Sequence, residues 1–131
     1  MGILEALGLK SEPKKDPVHV TDDNYKSEVL NSDLPVLLDV WSFGCAPCVA
    51  LAPTMMKLAA KYDGKVKVAE INAGQNPVTM GKLNVRGTPT VVVFKKGKII
   101  GSVVGMRGQS YYEEMIEAEL LQKPAEAENR V

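Results

Sequence analysis

Two periods of hydrophobic and polar residues alternate along this chain, and each change of period marks an element. Pro35 to Trp41 (PVLLDVW) is an almost continuous apolar run, the mark of a strand covered on both faces, and its one break is Asp39. Val66 to Ile71, Thr90 to Phe94 and Ile99 to Val104 read as further strands, the last two joined at Lys95 to Lys98, whose Lys-Gly centre suits a tight hairpin. From Ala46 to Tyr62 the pattern is helical, with Val49, Leu51, Ala52, Met55, Met56, Leu58 and Ala59 apolar. Pro53 predicts a bend in that helix and Asp63-Gly64 its end. Val18 to Val20 reads as a short strand, after which Thr21 or Asp22 can cap a helix running to about Leu30. Asn76-Pro77 reads as the cap and first-turn proline of a short helix ending near Leu83. Ser110 with Glu113 has the form of a capping box for a last helix that reaches about Leu121 and stops before Pro124. The order β-α-β-α-β-α-β-β-α predicts an α/β fold, a mixed central sheet with helices on both faces.

The ends read differently. Residues 1–17 predict an N-terminal extension, in which Ile3, Leu4 and Leu7 share one face of a short helix and a polar linker carries Pro13 and Pro17. Residues 123–131 form a polar C-terminal tail. The start has no basic n-region and its apolar residues are broken by Glu5 and Gly8, so it does not read as a signal peptide. No apolar run reaches the length of a membrane span, and a cytoplasmic location is the default expectation.

Charge and cysteine content narrow the chemistry. Sixteen basic and sixteen acidic residues cancel without blocks of like charge, which disfavours nucleic acid and anionic membranes as partners. Two cysteines are too few for a disulfide-rich secreted fold. With the lone His19 they cannot supply four zinc ligands from one chain, so no metal is expected unless two chains pair to complete a site.

Cys45-Ala46-Pro47-Cys48 stands where a buried strand ends and a helix begins. In the first turn of a helix Cys45 meets unpaired backbone N–H groups and the positive end of the helix dipole, both of which favour thiolate over thiol. The dipole is worth at most about 2 kcal/mol, or roughly one pKa unit, and hydrogen bonds to sulfur must supply the rest. Three residues on, Cys48 falls on the same side and within disulfide reach. Pro47 lies where its missing N–H costs nothing and stiffens the backbone between the sulfurs. Inert buried thiols are the bland alternative, but burial alone does not explain a helix-start position between Gly44 and Pro47.

Around this motif, Asp39-Val40-Trp41, Leu51-Ala52-Pro53, Gln75-Asn76-Pro77, Arg86-Gly87-Thr88-Pro89-Thr90 and Gly105 occur in the order and spacing of one family. The sequence resembles the thioredoxin family from roughly Val18 to Leu121, which makes 18–122 the thioredoxin-like domain. The resemblance implies the thioredoxin fold, with Cys45 the exposed nucleophile and Cys48 the resolving thiol. Asp39 resembles the family's buried carboxylate, placed to exchange a proton with Cys48. Pro89 resembles its cis-proline beside the disulfide, and Thr88 would pair through its backbone with an extended substrate strand. Gly44, Ala46, Pro47 and Gly105 fall with them in the implied substrate-binding rim.

Three residues depart from the family pattern. Gly44 stands where Trp is common, Ala46 where Gly is common, and Glu70 where Lys is frequent. Strand alternation puts Glu70 on a face with Val66 and Val68, and by resemblance that face looks toward Asp39, so Glu70 is expected to tune the redox pair. The implied activity is reduction of disulfide-containing proteins, without a bound cofactor, with electrons from a separate thioredoxin-reductase-type donor. A more oxidising pair would make an oxidase or isomerase instead. A redox-sensing peptide-binding module is the alternative outside catalysis.

Overall fold

A computed structural model of the protein describes residues 11–121 together with Ile3 and Leu7. The expected helix over 2–10, apart from those two residues, and the tail over 123–131 lie outside the described residues. Five strands, β1 (Val18–Val20), β2 (Val36–Trp41), β3 (Lys67–Asn72), β4 (Thr90–Lys95) and β5 (Lys98–Val104), form one sheet in the order β1-β3-β2-β4-β5. β1 and β2 lie parallel to β3 on either side of it, while β4 is antiparallel to β2 and β5 to β4.

Strand alternation sorts side chains into two cores, one on each face of the sheet. Leu37 of β2 and Val68 of β3 pack with Leu51, Met55 and Leu58 of α1 (Ala46–Lys61) and with Tyr112 from the last helix. Val36, Leu38 and Val40 pack on the other face with Val20, Val29, Ile71 and Leu83. Asp39 therefore sits on the α1 side with Leu37, and Glu70 on the same side with Val68. α1 runs unbroken through Pro53 and buries Cys48, Leu51, Met55, Leu58 and Ala59 at helical spacing. Val49 and Ala52 are apolar but exposed beside the site.

Helix starts are where the structure departs most from the sequence pattern. Thr21 makes the first turn, its Oγ1 accepting from Asp23 N–H at 3.2 Å while Asn24 Oδ1 accepts from Thr21 N–H at 2.7 Å. Beyond that turn the chain forms a π-helical segment, Lys26–Leu30, in place of the expected regular helix. Asp22 instead caps α2 (Pro77–Leu83): its Oδ1 accepts from Thr79 N–H at 2.8 Å and its Oδ2 from Val78 N–H at 3.2 Å. Asn76, expected to cap α2, makes no cap hydrogen bond. Its buried amide accepts from Asp22 N–H at 2.8 Å and donates to Asn72 O at 2.9 Å, which holds Asp22 in place. A carboxylate is the stronger acceptor for N–H groups at a helix start.

The Ser110–Glu113 capping box does not form. α3 (Gln109–Met115) starts from Gly108 without a side-chain cap, and Glu113 pairs with Lys61 of α1. A π-helical segment, Ile116–Leu120, continues it. In the β4–β5 hairpin Lys96 and Gly97 both have positive φ, at 52° and 75°. A Cβ on Gly97 would lie 2.6 Å from Leu30 O, so the turn needs glycine there for space as well as conformation.

Candidate functional site

The site forms where β2 ends and α1 begins. Gly44 turns the chain with φ +72°, and Cys45, in extended conformation, is the N-cap of α1. Cys45 and Cys48 form a disulfide with their Cα atoms 5.3 Å apart. Cys48 N–H donates to Cys45 Sγ at 3.2 Å, a hydrogen bond that favours negative charge on that sulfur once the pair is reduced. The two sulfurs are not equivalent: Cys45 is partly exposed, while Cys48 is only 6% exposed. Ala46 and Pro47 between them face solvent.

A second loop lies against the disulfide. The Thr88–Pro89 peptide bond is cis, Pro89 is buried, and Thr88 O lies 3.6 Å from Cys45 Sγ. Ser42 and Thr88 share a hydroxyl–hydroxyl hydrogen bond of 2.7 Å that ties the two loops together. Gly105, at φ +81°, donates its N–H to Pro89 O at 2.9 Å. Gly44, Ala46, Pro47, Thr88 and Pro89 thus gather at the disulfide, with Gly105 supporting the loop behind.

Behind Cys48 is a pocket of about 380 Å³ that Asp39 and Glu70 both line. Asp39 is 4% exposed, and among the described residues its Oδ1 has no hydrogen-bond partner. Burial, followed by the charge of Glu70, pushes its pKa up to about 7. Glu70 is held at both oxygens, with Trp41 Nε1–H donating to Oε1 at 2.7 Å and His19 Nδ1 lying 2.7 Å from Oε2. Tyr112, from α3, has a buried hydroxyl with no partner among the described residues, and burial with the charge of Asp39 pushes its pKa up to about 12.

Trp41 belongs to the Asp39-Val40-Trp41 motif, whereas Ser42, Phe43 and His19 carry no clear signal in the sequence motifs. Ser42 pairs with Thr88, and Phe43 packs edge-on to Trp41 with ring centroids 5.2 Å apart, placing an aromatic at the pocket mouth although position 44 is glycine. Strand alternation could have placed Trp41 on the Asp39 face. His19 could not have been found, because the pairing of β1 with β3 has no local sequence signal.

Among the described residues no group of three or more His, Cys, Asp or Glu side chains is arranged to hold a metal ion, and no helix is long and apolar enough to cross a membrane. The family model described as Thioredoxin matches residues 16–118. Thioredoxin 1 of Nostoc sp. is 43% identical over 86 residues, 66% of this chain and 80% of that protein. Thioredoxin 2 of Chlorobaculum tepidum is 41% identical over 85 residues, 65% and 78% respectively. The thioredoxin of Haemophilus influenzae is 39% identical over 88 residues, 67% and 82%. Since the matched residues 16–118 take in all five strands and both cysteines, this chain belongs to the thioredoxin family of thiol-disulfide oxidoreductases.

Proposed function

We propose that this protein reduces disulfides in other proteins, with Cys45 as nucleophile and Cys48 as resolving thiol. The unequal exposure of the two sulfurs at the start of α1 carries the assignment. A target disulfide can reach Cys45, whose thiolate is favoured by the helix N-terminus and by the N–H of Cys48. Attack gives a mixed disulfide between Cys45 and one target sulfur, and the other target sulfur leaves as thiolate. Cys48 then gives its proton to Asp39 and attacks Cys45 Sγ, which releases the reduced target and leaves Cys45–Cys48 oxidised.

The other site residues serve this exchange. Gly44, Ala46, Pro47, Thr88, Pro89 and Gly105 form the rim on which an extended target segment rests, and the backbone of Thr88, beside Cys45, pairs with it. Glu70 raises the pKa of Asp39 and tunes the dithiol through it. A separate reductase-type donor restores the dithiol, and a reducing compartment such as the cytoplasm is the setting that this cycle calls for.

Turnover tests the proposal. A catalyst reduces many protein disulfides per molecule when supplied with a thiol donor, whereas a redox sensor changes state once. The equilibrium potential of the pair against glutathione gives the direction of flow: near the general thioredoxin value of about −270 mV it is a reductant, and near about −120 mV an oxidant.

A further inference from the structure

We propose that the pocket behind Cys48 takes a lysine or arginine side chain of the protein whose disulfide is reduced, and so selects targets with a basic residue near the exchanging cysteine. This rests on the reading of Cys45 as the nucleophile toward protein disulfides.

The wall of the pocket suits a group with an apolar stem and a positive end. Trp41, Phe43, Met55 and Met56 supply apolar surface along which the methylenes of a basic side chain can lie. Asp39 of β2 and Glu70 of β3 are in register and form a row of carboxylates in the same wall. Both are poorly solvated: Asp39 is 4% exposed and the side chain of Glu70 22%. Among the described residues the wall contains no lysine or arginine, so nothing in it offsets the acids. Trp41 Nε1–H and His19 Nδ1 each engage one oxygen of Glu70. A carboxylate accepts at about four lone-pair sites, so Glu70 keeps capacity for an incoming cation. Such a cation also relieves the repulsion between the neighbouring acids.

The pocket lies at the disulfide. Gly44, next to Cys45 in the chain, lines it together with Cys48. Phe43 and Val49 also line it and are 74% and 73% exposed, which gives a docked protein apolar surface to cover. An extended target segment advances about 3.4 Å per residue and a lysine ammonium lies roughly 6 Å from its Cα, so a basic residue one to three places from the target cysteine is within reach. The volume of about 380 Å³ is enough for one such side chain. Gly44 and Glu70 are also two of the three positions that depart from the family pattern. Glycine puts no side chain into the wall, and Glu70 supplies negative charge where lysine is frequent.

The test measures kcat/KM for reduction of disulfide-linked peptides that carry lysine, norleucine or diaminopropionate in turn at each of the three positions on either side of the target cysteine. At one or more of these positions wild type should prefer lysine over norleucine by about tenfold. Diaminopropionate, with its ammonium on a single methylene, should lose most of that gain. In Glu70→Gln, with an unfolding midpoint to check the fold, the ratio should fall to about threefold or less. A ratio taken within one protein cancels any change in redox tuning. Equal rates for lysine and norleucine at every position would overturn the proposal, as would an unchanged ratio in Glu70→Gln. Diaminopropionate matching lysine would mark attraction over a distance and overturn it as well. Free n-butylammonium is titrated against the fluorescence of Trp41, the sole tryptophan. Saturable binding without any lysine preference in the peptides would assign the pocket to a small amine instead. Failure to reduce any peptide would remove the reading of Cys45, and the proposal with it.

Discussion

Replacing Asp39 by Asn should change how stability depends on pH in a way that its burial and the neighbouring charge of Glu70 dictate. In the unfolded chain this carboxyl ionises near its ordinary value of 3.8, whereas in the folded protein it holds its proton to about pH 7. Between those values the folded state binds the extra proton, so stability falls as pH rises through the window and is lowest, for this group, above pH 7. At about 1.4 kcal/mol per pH unit, a pKa moved from 3.8 to about 7 corresponds to roughly 4 kcal/mol of destabilisation at pH 8. Asparagine carries no charge to desolvate and should lose this dependence. Urea unfolding of the oxidised protein, wild type and Asp39→Asn, from pH 4 to pH 8 is the assay. The difference between them should shift in favour of the variant by up to roughly 4 kcal/mol, with most of the change between pH 4 and 7. Parallel curves would mean that Asp39 ionises normally in the folded protein and would refute the reasoning.

The remaining predictions address the neighbours of the site and the frame. Glu70→Lys exchanges a repulsive neighbour of Asp39 for an attractive one, worth roughly 2 kcal/mol per charge pair at about 8 Å and an effective dielectric near 20, less what solvent screens. It should lower the pKa of Asp39 and the apparent pKa of Cys45 and make the potential less negative, as read by thiolate absorbance and redox titration on the same samples. Gly97→Ala should destabilise by roughly 2 kcal/mol in denaturant unfolding, because a Cβ there meets Leu30 O at 2.6 Å and φ is +75°. Deleting residues 1–16 removes the Lys15 N–H to Met56 O hydrogen bond and the exposed Lys15–Asp63 pair, and should cost roughly 1 kcal/mol while leaving reduction nearly unchanged.

Features that depend on one strand or one helix are legible in the sequence. Asp39 is visible as the only interruption of an apolar run, and the cysteine pair as a motif between a strand and a helix. Glu70 can be put on the face of Val68 by alternation alone. Contacts between distant segments are not legible in this way. Asp22 caps a helix 57 residues away, and the buried Asn76 turns its amide toward Asp22 and Asn72, so the locally plausible cap is not the one that forms. Glu113 reaches Lys61 across 52 residues and leaves Ser110 without a capping partner. His19 joins the row of carboxylates only because β1 pairs with β3, and an exposed histidine in a three-residue strand gives no hint of it.

The most direct test of the mechanism is trapping. Cys45→Ser and Cys48→Ser variants are mixed with oxidised protein substrates, quenched with acid, and assayed for covalent complexes by mass spectrometry. With Cys45 as the attacking thiol and Cys48 as the resolving one, Cys48→Ser should accumulate mixed disulfides through Cys45 because attack proceeds and resolution cannot. Cys45→Ser should trap almost nothing, since its remaining sulfur is buried. Equal trapping by the two variants, or complexes formed through Cys48, would contradict the assignment of nucleophile and resolver.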